Sequence, residues 1–492
     1  MARHRRSLAE LLEALPEIYQ PIFGHDEIKS SRTFQLDRFE DVRKLANDIA
    51  DQYGRKLRLI DFGCAQGYLS IMLAKDGHYV VGVDYEQKNI DVCEALAYEN
   101  SYFSNNLDFV CGDVATVLKL IKRGNFDVFL SFSVLHHLVF RDGFESTVDL
   151  VTTINSRVPN LIGEFALANE PLYWAEVQPQ DPRFLLRSYP YIEQISKSQT
   201  HLSDIQRPIL FCSREFVRVG LALRQIHEWH YHERPIVEDD REPRRILYCD
   251  DLLVKVVVNV SEVFNDFRVV ASRKELESEV RILSSSLLPL TIVPPVLIDY
   301  KINSSELVVV RKMLPGVPLS TCLENLSIFE CETIVRQVTH QLATLEQLSL
   351  YHSDLRIWNV LWDTETKTAS LIDFGAIVSE PTDVVPPHDP FYSYALFVQT
   401  VALRTTDQTG IDSARVFLDC HHMESQILDH LLAAVYLRTS SGQFFKDMHE
   451  CLLGSSDEVQ GSNLFISRWF SLVANYQNRR IVELQRRSHS VE

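Results

Sequence analysis

The sequence predicts an α/β domain with an open parallel sheet over residues 1–227 and a bilobal α+β domain over residues 245–455. In the first part, four short apolar strands each run into a polar turn, and helical segments alternate with them, as in a doubly wound sheet. In the second part, apolar strands precede longer helical segments. Residues 228–244 are charged and lack apolar periodicity, which predicts a linker. Residues 456–492 are predicted to form a C-terminal helix that could begin a coiled coil.

Composition limits the classes of protein to consider. The chain has 492 residues, 46% of them hydrophobic, which is enough for two or three domains with full cores. Its net charge of −18 argues against a nucleic-acid partner, because neutralising phosphates requires a basic surface. The nine cysteines form no close pair motif, and neither a signal peptide nor an apolar run of membrane-spanning length is visible. We therefore expect a cytoplasmic protein.

The first strand carries the features of a nucleotide-like crevice. The segment Arg58–Gly67 is an apolar strand ending in Asp61, followed by a turn with Gly63, Ala65 and Gly67. Such a turn at the carboxyl end of a strand favours a bound nucleoside. By itself the turn is also compatible with a dinucleotide, because Ala65 stands where a further glycine is common.

The next three strands narrow the choice. The second strand, 78–84, ends in Asp84, which is suited to bind ribose hydroxyls. The third strand, 108–113, ends in Asp113, which is placed to meet the adenine amine. The fourth strand, 125–137, ends in His136 and His137. Four strands with these termini resemble the Rossmann-like class I S-adenosylmethionine-dependent methyltransferase family. That resemblance implies S-adenosylmethionine as the methyl donor.

The chemistry of the methyl acceptor decides which other groups are needed. Methyl transfer depends mainly on holding the donor in line with the nucleophile. A sugar hydroxyl would need a base, for which His136 or His137 is available, although paired histidines are as often structural. A phosphate is already ionised and needs only cations. Arg183, Arg187, Tyr189 and Tyr191 are candidate phosphate-binding residues, with surface packing as the alternative.

A second set of motifs indicates phosphoryl transfer. In kinase-like folds a catalytic-loop Asp positions the attacking hydroxyl, an Asn five residues later holds magnesium, and the Asp of Asp-Phe-Gly binds the metal on the ATP phosphates. Asp354, Asn359 and Asp373 have this spacing. Apolar strands at 360–362 and 370–372 flank a polar turn, so a hairpin is predicted to bring Asp373 back beside Asn359.

Upstream residues complete the predicted ATP site. Lys255 lies in an apolar strand and is expected to hold the α- and β-phosphates, unless it points outward into solvent. Glu279, near the apolar end of a predicted helix over 272–283, is its expected partner, with Glu275 as the second choice. The strand 306–316, which includes Arg311 and Met313, is expected to offer backbone groups to adenine.

Two departures from protein kinases bear on the substrate. No glycine-rich loop precedes Lys255, and no Ala-Pro-Glu follows Asp373. Ser353 also replaces the Arg that would receive a regulatory phosphate. The missing activation segment favours a small molecule or a glycan as the phosphoryl acceptor, and Ser353 argues against activation by phosphorylation of the loop.

Most of the chain resembles the WbdD-type family of bifunctional kinase–methyltransferases, which terminates polymannose O-antigen chains in Gram-negative bacteria. The resemblance rests on the segment 15–25, on Asp61–Gly67 and on the residues from His352 to Asn359. It implies that the N-terminal segment closes over the methyl donor, with Tyr19 near it and Arg38 on its carboxylate. It also implies a terminal mannose as acceptor, phosphorylated with ATP and Mg²⁺ and then methylated on the phosphate.

The same resemblance implies partners: the polysaccharide polymerase at the inner membrane and further copies of the chain. Basic clusters at both ends would suit contact with anionic lipid, or are solvated helix ends. They are Arg3, Arg5, Arg6, Arg479, Arg480, Arg486 and Arg487.

Two other functions remain open at this point. In one, the methyltransferase is active and the kinase-like part senses nucleotide or serves as a scaffold. In the other, the kinase modifies a metabolite or an antibiotic, as in aminoglycoside kinases with similar loops, which leaves the fused methyltransferase unexplained.

Overall fold

A large mixed sheet forms the centre of the first half of the chain. Its strands are β1 (Arg58–Phe62), β2 (Tyr79–Asp84), β3 (Leu107–Cys111), β4 (Val128–Phe132), β5 (Asn160–Glu164), β6 (Tyr191–Gln199) and β7 (Gln206–Ser213). Their order is β3-β2-β1-β4-β5-β7-β6. The first five are parallel, and β7 is antiparallel to both β5 and β6. This confirms the predicted Rossmann-like domain.

The computed structural model describes residues 6–31, 37–100, 105–199, 204–231, 243–258, 267–285, 288–289, 292–303, 306–383, 390–404, 425, 427–428, 431 and 443–453. The chain divides into two compact units. The first contains residues 1–270 and 301–310, and the second contains residues 271–300 and 311–492. Within the described residues, no helix is long and apolar enough to span a membrane.

The helices of the first unit follow the predicted alternation with strands. They are α1 (Leu8–Glu13), α2 (Asp37–Tyr53), α3 (Tyr68–Lys75), α4 (Gln87–Glu99), α5 (Val114–Leu120), α6 (Leu135–Asp142) and α7 (Phe144–Arg157). The central strands β4 and β5 are buried at every residue, as expected for parallel strands that are covered on both faces. Strand order reverses between β1 and β4, which opens a crevice at their carboxyl ends.

Further strands follow the large sheet. β8 (Phe216–Val219) and β9 (Ala222–Gln225) form a hairpin. A five-stranded sheet contains β10 (Glu228–His230), β11 (Arg244–Cys249), β12 (Leu252–Val257), β13 (Leu297–Ile302) and β14 (Leu307–Lys312), in the order β10-β11-β12-β14-β13. β10 pairs with β11, and β11 begins at Arg244, so residues 228–230 and Arg244 of the segment predicted as a linker lie in strands. Residues 232–242 of that linker lie outside the described residues.

Helices make up much of the second unit in the part of it that the structure describes. Its helices are α8 (Phe267–Ser284), which begins in the first unit, α9 (Leu319–Cys322), α10 (Ile328–Gln347), α11 (Pro390–Leu403) and α12 (Phe444–Leu453). Ser327 and Glu330 form a capping box at the start of α10, which gives this long helix a defined beginning.

Short strands in the second unit carry the catalytic loop. They are β15 (Val317–Pro318), β16 (Tyr351–His352), β17 (Val360–Asp363), β18 (Thr368–Leu371) and β19 (Ile377–Val378). β17 and β18 form the hairpin predicted after Asn359, with Val360 opposite Leu371. The C-terminal helix predicted over residues 456–492 lies outside the described residues.

Candidate functional site

The turn after β1 has a backbone that only a few residue types adopt without strain. Gly63, Ala65 and Gly67 all have positive φ, at 73°, 48° and 75°. The amides of Gly63 and Cys64 both donate to the Val83 carbonyl at the end of β2, at 2.8 and 3.1 Å. An added Cβ on Gly63 would lie 2.3 Å from Val134 Cγ2. The turn therefore packs closely against Val83 and Val134 at the crevice, as expected for a loop that approaches a nucleoside.

Two of the predicted acidic residues are fixed beside this turn. Asp84 accepts from the amides of Ala65 and Glu86, both at 2.9 Å, and from Asn89 Nδ2 at 3.2 Å. Burial raises the pKa of Asp84 even though these hydrogen bonds oppose the rise. Asp61 accepts from Ser70 Oγ at 2.6 Å, and burial raises its pKa to about 6.

Asp113 has a structural role at the end of β3. It is the N-cap of α5, and its Oδ1 accepts from the Thr116 amide at 3.0 Å. Hydrogen bonds from Thr116 lower the pKa of this carboxyl group. The carboxylate is exposed at the predicted adenine end of the crevice, so its contact with adenine stays a prediction.

The N-terminal segment is hydrogen-bonded onto the turn. The Gln20 amide donates to Gln66 Oε1 at 2.9 Å, and the Tyr68 amide at the start of α3 donates to Gln20 Oε1 at 3.2 Å. We call these two hydrogen bonds the Gln20 latch. Neither glutamine was predicted, because an amide side chain carries no distinctive pattern in a sequence.

Arg38 lies in a buried network of charges that the sequence did not indicate. Arg38 Nη1 donates to Glu164 Oε2 at 2.7 Å. Arg207 Nη1 donates to Glu164 Oε1 at 3.3 Å, and Arg207 Nε and Nη2 each donate to Glu170 at 2.8 Å. Burial opposes the charge of Arg207, but Glu170, Glu164 and Tyr19 together raise its pKa. Predicted donor-site residues Tyr19 and Arg38 therefore share one environment at this edge of the sheet.

His136 and His137 follow β4 at the same edge. Their rings lie 4.1 Å apart, and the His136 ring lies 4.6 Å from the Trp174 ring. His136 is buried, which is typical of a packed residue. Burial and the charge of Arg207 lower the pKa of His137, so it is neutral near pH 7.

The residues predicted to bind phosphate lie elsewhere. Tyr189 and Tyr191 are 0% and 2% exposed and belong to the hydrophobic core, so that prediction is wrong for both tyrosines. Arg183 is paired with Asp181 at 3.0 Å and Arg187 with Glu145 at 3.2 Å. Apolar packing of the aromatic rings outweighed their hydrogen-bonding potential.

In the second unit, the predicted catalytic residues form a hydrogen-bonded pair. Asn359 Nδ2 donates to the Asp354 carbonyl and to Asp354 Oδ2, each at 2.8 Å. Asn359 Oδ1 is buried and accepts no hydrogen bond from the residues that the structure describes. A buried carbonyl oxygen left in this way is suited to a hard cation such as Mg²⁺.

Asp373 is brought back to this pair by the hairpin. The Ile372 amide donates to the Asn359 carbonyl at 2.9 Å, which continues the pairing of β17 and β18. Asp373 has φ 62° and ψ 58°, a strained conformation for a residue with a side chain. Asp354, Asn359 and Asp373 thus offer oxygen groups of the kind that Mg²⁺ and a hydroxyl nucleophile require.

The remaining predicted ATP-site residues differ in their surroundings. Lys255 is completely buried in β12, which rules out the solvated alternative. Glu279 on α8 is paired with Arg311 Nε at 3.0 Å, and both side chains are buried. The side chain of Arg311 is therefore committed to an ion pair, while Met313 is exposed. Gly375 packs against α8, where an added Cβ would lie 2.5 Å from Glu275 Cγ.

Comparisons with known proteins agree with this architecture. A family described as methyltransferase domain matches residues 54–169. Two Escherichia coli proteins described as O-antigen chain terminator bifunctional methyltransferase/kinase WbdD are 32% and 31% identical over 417 residues. The match covers 82% of this chain, and the chain spans 57% of the length of each relative.

Solved structures of WbdD match nearly the whole chain. One, described as a bifunctional kinase-methyltransferase, has a TM-score of 0.74 at 26% identity, covering 96% of this chain and all of that chain. Another, with its C-terminal bundle ordered, has a TM-score of 0.75 at 26% identity, with 98% and 99% covered.

Fold and sites together define a methyltransferase domain joined to a kinase-like domain. Over most of its length the chain is similar to the WbdD type of such fusions.

Proposed function

We propose that this chain caps a surface polysaccharide by phosphorylating its non-reducing terminal sugar with ATP and then methylating that phosphate with S-adenosylmethionine. The observation that carries this proposal is the presence, in one chain, of the latched donor turn and of the Asp354–Asn359 pair. The names of the E. coli relatives support a glycan as acceptor, and mannose is our choice of sugar.

In the first reaction, Asp354 would orient the sugar hydroxyl for attack on the γ-phosphorus of ATP. The new oxygen–phosphorus bond forms as the bond to ADP breaks, and the hydroxyl proton passes to Asp354 or to the phosphate. Asn359 keeps Asp354 in place through its amide hydrogens. Asn359 Oδ1 and Asp373 would hold Mg²⁺, which supplies charge neutralisation at the transferred phosphate.

In the second reaction, an oxygen of the sugar phosphate attacks the methyl carbon of the sulfonium donor, and S-adenosylhomocysteine leaves. The phosphate is already ionised near neutral pH, so the protein needs no base. The protein contributes orientation: the turn and Asp84 hold the nucleoside, and Tyr19 and Arg38 hold the amino-acid end. Neutral His137 can then donate a hydrogen bond to the acceptor without removing a proton.

Mass spectrometry of a mannose-terminated oligosaccharide incubated with the chain, ATP and Mg²⁺ tests the proposal. We expect a phosphorylated product with ATP alone and a methyl phosphate only when S-adenosylmethionine is also present. A methylated sugar formed without ATP would refute the phosphate-first order.

A variant separates the two reactions. Asp354→Asn should lower phosphorylation about 10²–10⁴-fold, because the positioned carboxylate is lost. The same variant should still methylate a chemically prepared mannose phosphate.

Two outcomes with the wild-type chain would favour the other functions. Nucleotide binding without turnover would favour the sensor function. Phosphorylation of small metabolites but not of glycans would favour the metabolite kinase.

We also propose the finer properties that WbdD resemblance implies: a cytoplasmic location with peripheral contact at the inner membrane, contact with the polysaccharide polymerase, and self-association. The basic residues at the two chain ends, which lie outside the described residues except Arg6, are the support for lipid contact. Co-sedimentation with vesicles, with and without anionic lipid, tests it: sedimentation only with anionic lipid is expected.

A further inference from the structure

Asp383 is a buried carboxylate in the segment that follows Asp-Phe-Gly. Its side chain is completely buried, and Arg356 Nη2 donates to both of its oxygens, at 3.0 and 3.1 Å. Ser393 on α11 donates to Asp383 Oδ2 through its hydroxyl. Burying a carboxylate is costly unless it is paired and hydrogen-bonded, so these contacts hold Asp383 at a defined position.

The Arg356 guanidinium contacts three groups through three different nitrogens. Nη2 is paired with Asp383, and Nη1 donates to the Leu355 carbonyl at 2.7 Å. Nε faces Asp354 Oδ1 at 3.7 Å, a distance that allows an ion pair but is too long for a hydrogen bond. Asp383 and Asp354 therefore face the same positive charge, and the hydrogen bonds of that charge go to Asp383.

This arrangement leaves one oxygen of Asp354 for the phosphoryl acceptor. Asn359 donates to Asp354 Oδ2 at 2.8 Å, whereas Oδ1 accepts no hydrogen bond from the part of the chain that the structure describes. A hydroxyl nucleophile needs such an acceptor oxygen. A guanidinium binds a carboxylate most strongly through two parallel hydrogen bonds, so an unrestrained Arg356 would close onto Asp354 and occupy that oxygen.

The segment that carries Asp383 is also joined to the catalytic loop by its backbone. β16 pairs with β19, with His352 opposite Ile377. The amide and the hydroxyl of Ser353 both donate to the Ala376 carbonyl, each at 2.8 Å. In regulated kinases, a phosphorylated residue of this segment pairs with an arginine and orders the segment. Here the carboxylate of Asp383 is the anion that is paired with an arginine.

We propose that Asp383 is a positioning residue for phosphoryl transfer, which holds Arg356 away from Asp354 Oδ1 and does so without phosphorylation of the chain. This inference rests on the proposed role of Asp354 in orienting the acceptor hydroxyl. Asp383 acts only through Arg356, so its removal changes the rate of transfer and leaves the binding of ATP intact.

Steady-state kinetics of the full chain with ATP, Mg²⁺ and a mannose-terminated oligosaccharide test this role. Asp383→Asn should lower kcat by roughly tenfold or more, because the oxygen that orients the hydroxyl becomes occupied. Calorimetric titration with adenylyl imidodiphosphate and Mg²⁺ should give the wild-type affinity for this ATP analogue. Equal losses of kcat and of analogue affinity would mean a structural role, and wild-type kinetics would mean no role.

A double variant and a matched control sharpen the test. In the Asp383→Asn background, Arg356→Gln should cause no further loss of kcat, because the arginine that closes onto Asp354 is absent. A further loss would mean that Asp383 does not act through Arg356. Glu346 is another buried carboxylate of the second unit, and it accepts from the Lys446 amide at 3.0 Å. Glu346→Gln should leave kcat unchanged.

Phosphatase treatment tests the independence from phosphorylation. Wild-type chain that is treated with a phosphatase, which is then removed, should keep its kcat. A fall in kcat would mean that a covalent phosphate contributes, and would overturn this part of the inference.

A second measurement separates this inference from the proposed glycan acceptor. If wild-type chain transfers phosphate to no oligosaccharide, the acceptor proposal fails, and the same variants are compared by the release of ADP and inorganic phosphate from ATP and water. Wild-type chain that releases no ADP would refute the role of Asp354.

Another variant serves if Asp383→Asn does not fold. Ser393→Ala removes one donor from Asp383 and should lower kcat by a few fold, with the analogue affinity unchanged. An unchanged kcat in this variant would overturn the inference.

Discussion

At the residue scale, Asn359 has two separable roles. Its amide nitrogen positions Asp354, and its amide oxygen is buried without a hydrogen-bond partner among the described residues. Asn359→Ala removes both, so we expect a rise in the Mg²⁺ concentration needed for half-maximal phosphorylation and a fall in the rate at saturating Mg²⁺. Asn359→Asp keeps a metal-binding oxygen but loses the donor, so only the rate should fall substantially.

Rates measured over a Mg²⁺ titration distinguish the two variants. If Asn359→Asp and Asn359→Ala lose Mg²⁺ affinity equally, the oxygen is not a metal ligand.

Asp61 makes the stability of the protein depend on pH. Its pKa is raised from 3.8 to about 6 by burial, so between these values the folded protein holds a proton that the unfolded chain has lost. The free energy of unfolding should therefore decrease as pH rises through this window, by at most about 3 kcal/mol from this group, and remain lower above it.

Asp61→Asn should remove that part of the pH dependence and unfold at higher denaturant concentration than wild type at pH 7.5. Urea unfolding at pH 4.5 and 7.5 measures this, with Asp149→Asn at an exposed position as the control. A pH dependence identical to wild type in Asp61→Asn would contradict it.

At the scale of elements, the turn between β1 and α3 depends on its close approach to the residue after β4. In Gly63→Ala, a new Cβ would meet Val134 Cγ2 at 2.3 Å and would also carry the strain of a φ of 73°. We expect a loss of stability of roughly 2 kcal/mol or more and weaker S-adenosylhomocysteine binding.

Adding Val134→Ala removes the methyl group and should recover part of both losses. Gly124→Ala, with a φ of 83° and no atom within 4 Å, isolates the strain and should cost about 1 kcal/mol without affecting ligand binding. Thermal unfolding and calorimetric titration report both quantities. A double variant no better than Gly63→Ala alone would mean that the clash is not the cause.

The distance along the chain between the residues of a site explains how much of that site could be predicted from the sequence. The turn after β1 and the hairpin from Asn359 to Asp373 depend on neighbouring residues, so their spacing revealed them. Arg207, Glu170 and Gln20 come from distant segments, and each resembles an ordinary surface residue until the sheet brings it to one edge. Glu164 did offer a signal: it is an acidic residue at the end of an apolar strand, as Asp61 and Asp84 are.

At the scale of the whole molecule, the predicted boundary at residue 227 divides a continuous core. The hydrophobic core of the first unit includes Leu247 of β11, Val256 of β12 and Val308 of β14 in addition to the large sheet. A fragment of residues 1–227 would expose apolar surface that these strands cover. We expect it to melt at a lower temperature, or to aggregate more, than a fragment of residues 1–312.

Differential scanning fluorimetry with S-adenosylhomocysteine compares the two fragments. Equal melting temperatures and equal stabilisation by the ligand would instead support residue 227 as an independent boundary.

The Gln20 latch has a consequence for the timing of the reaction. The Gln20 side chain accepts from the first amide of α3, and the Gln20 amide donates to Gln66. These two hydrogen bonds join the segment before the sheet to the turn after β1. If the methyl donor binds beneath this segment, as proposed, exchange of spent donor for fresh donor would require these hydrogen bonds to open and re-form in every cycle. The pace of repeated turnover would be governed by that exchange, so a single round of methylation should run faster than the steady state.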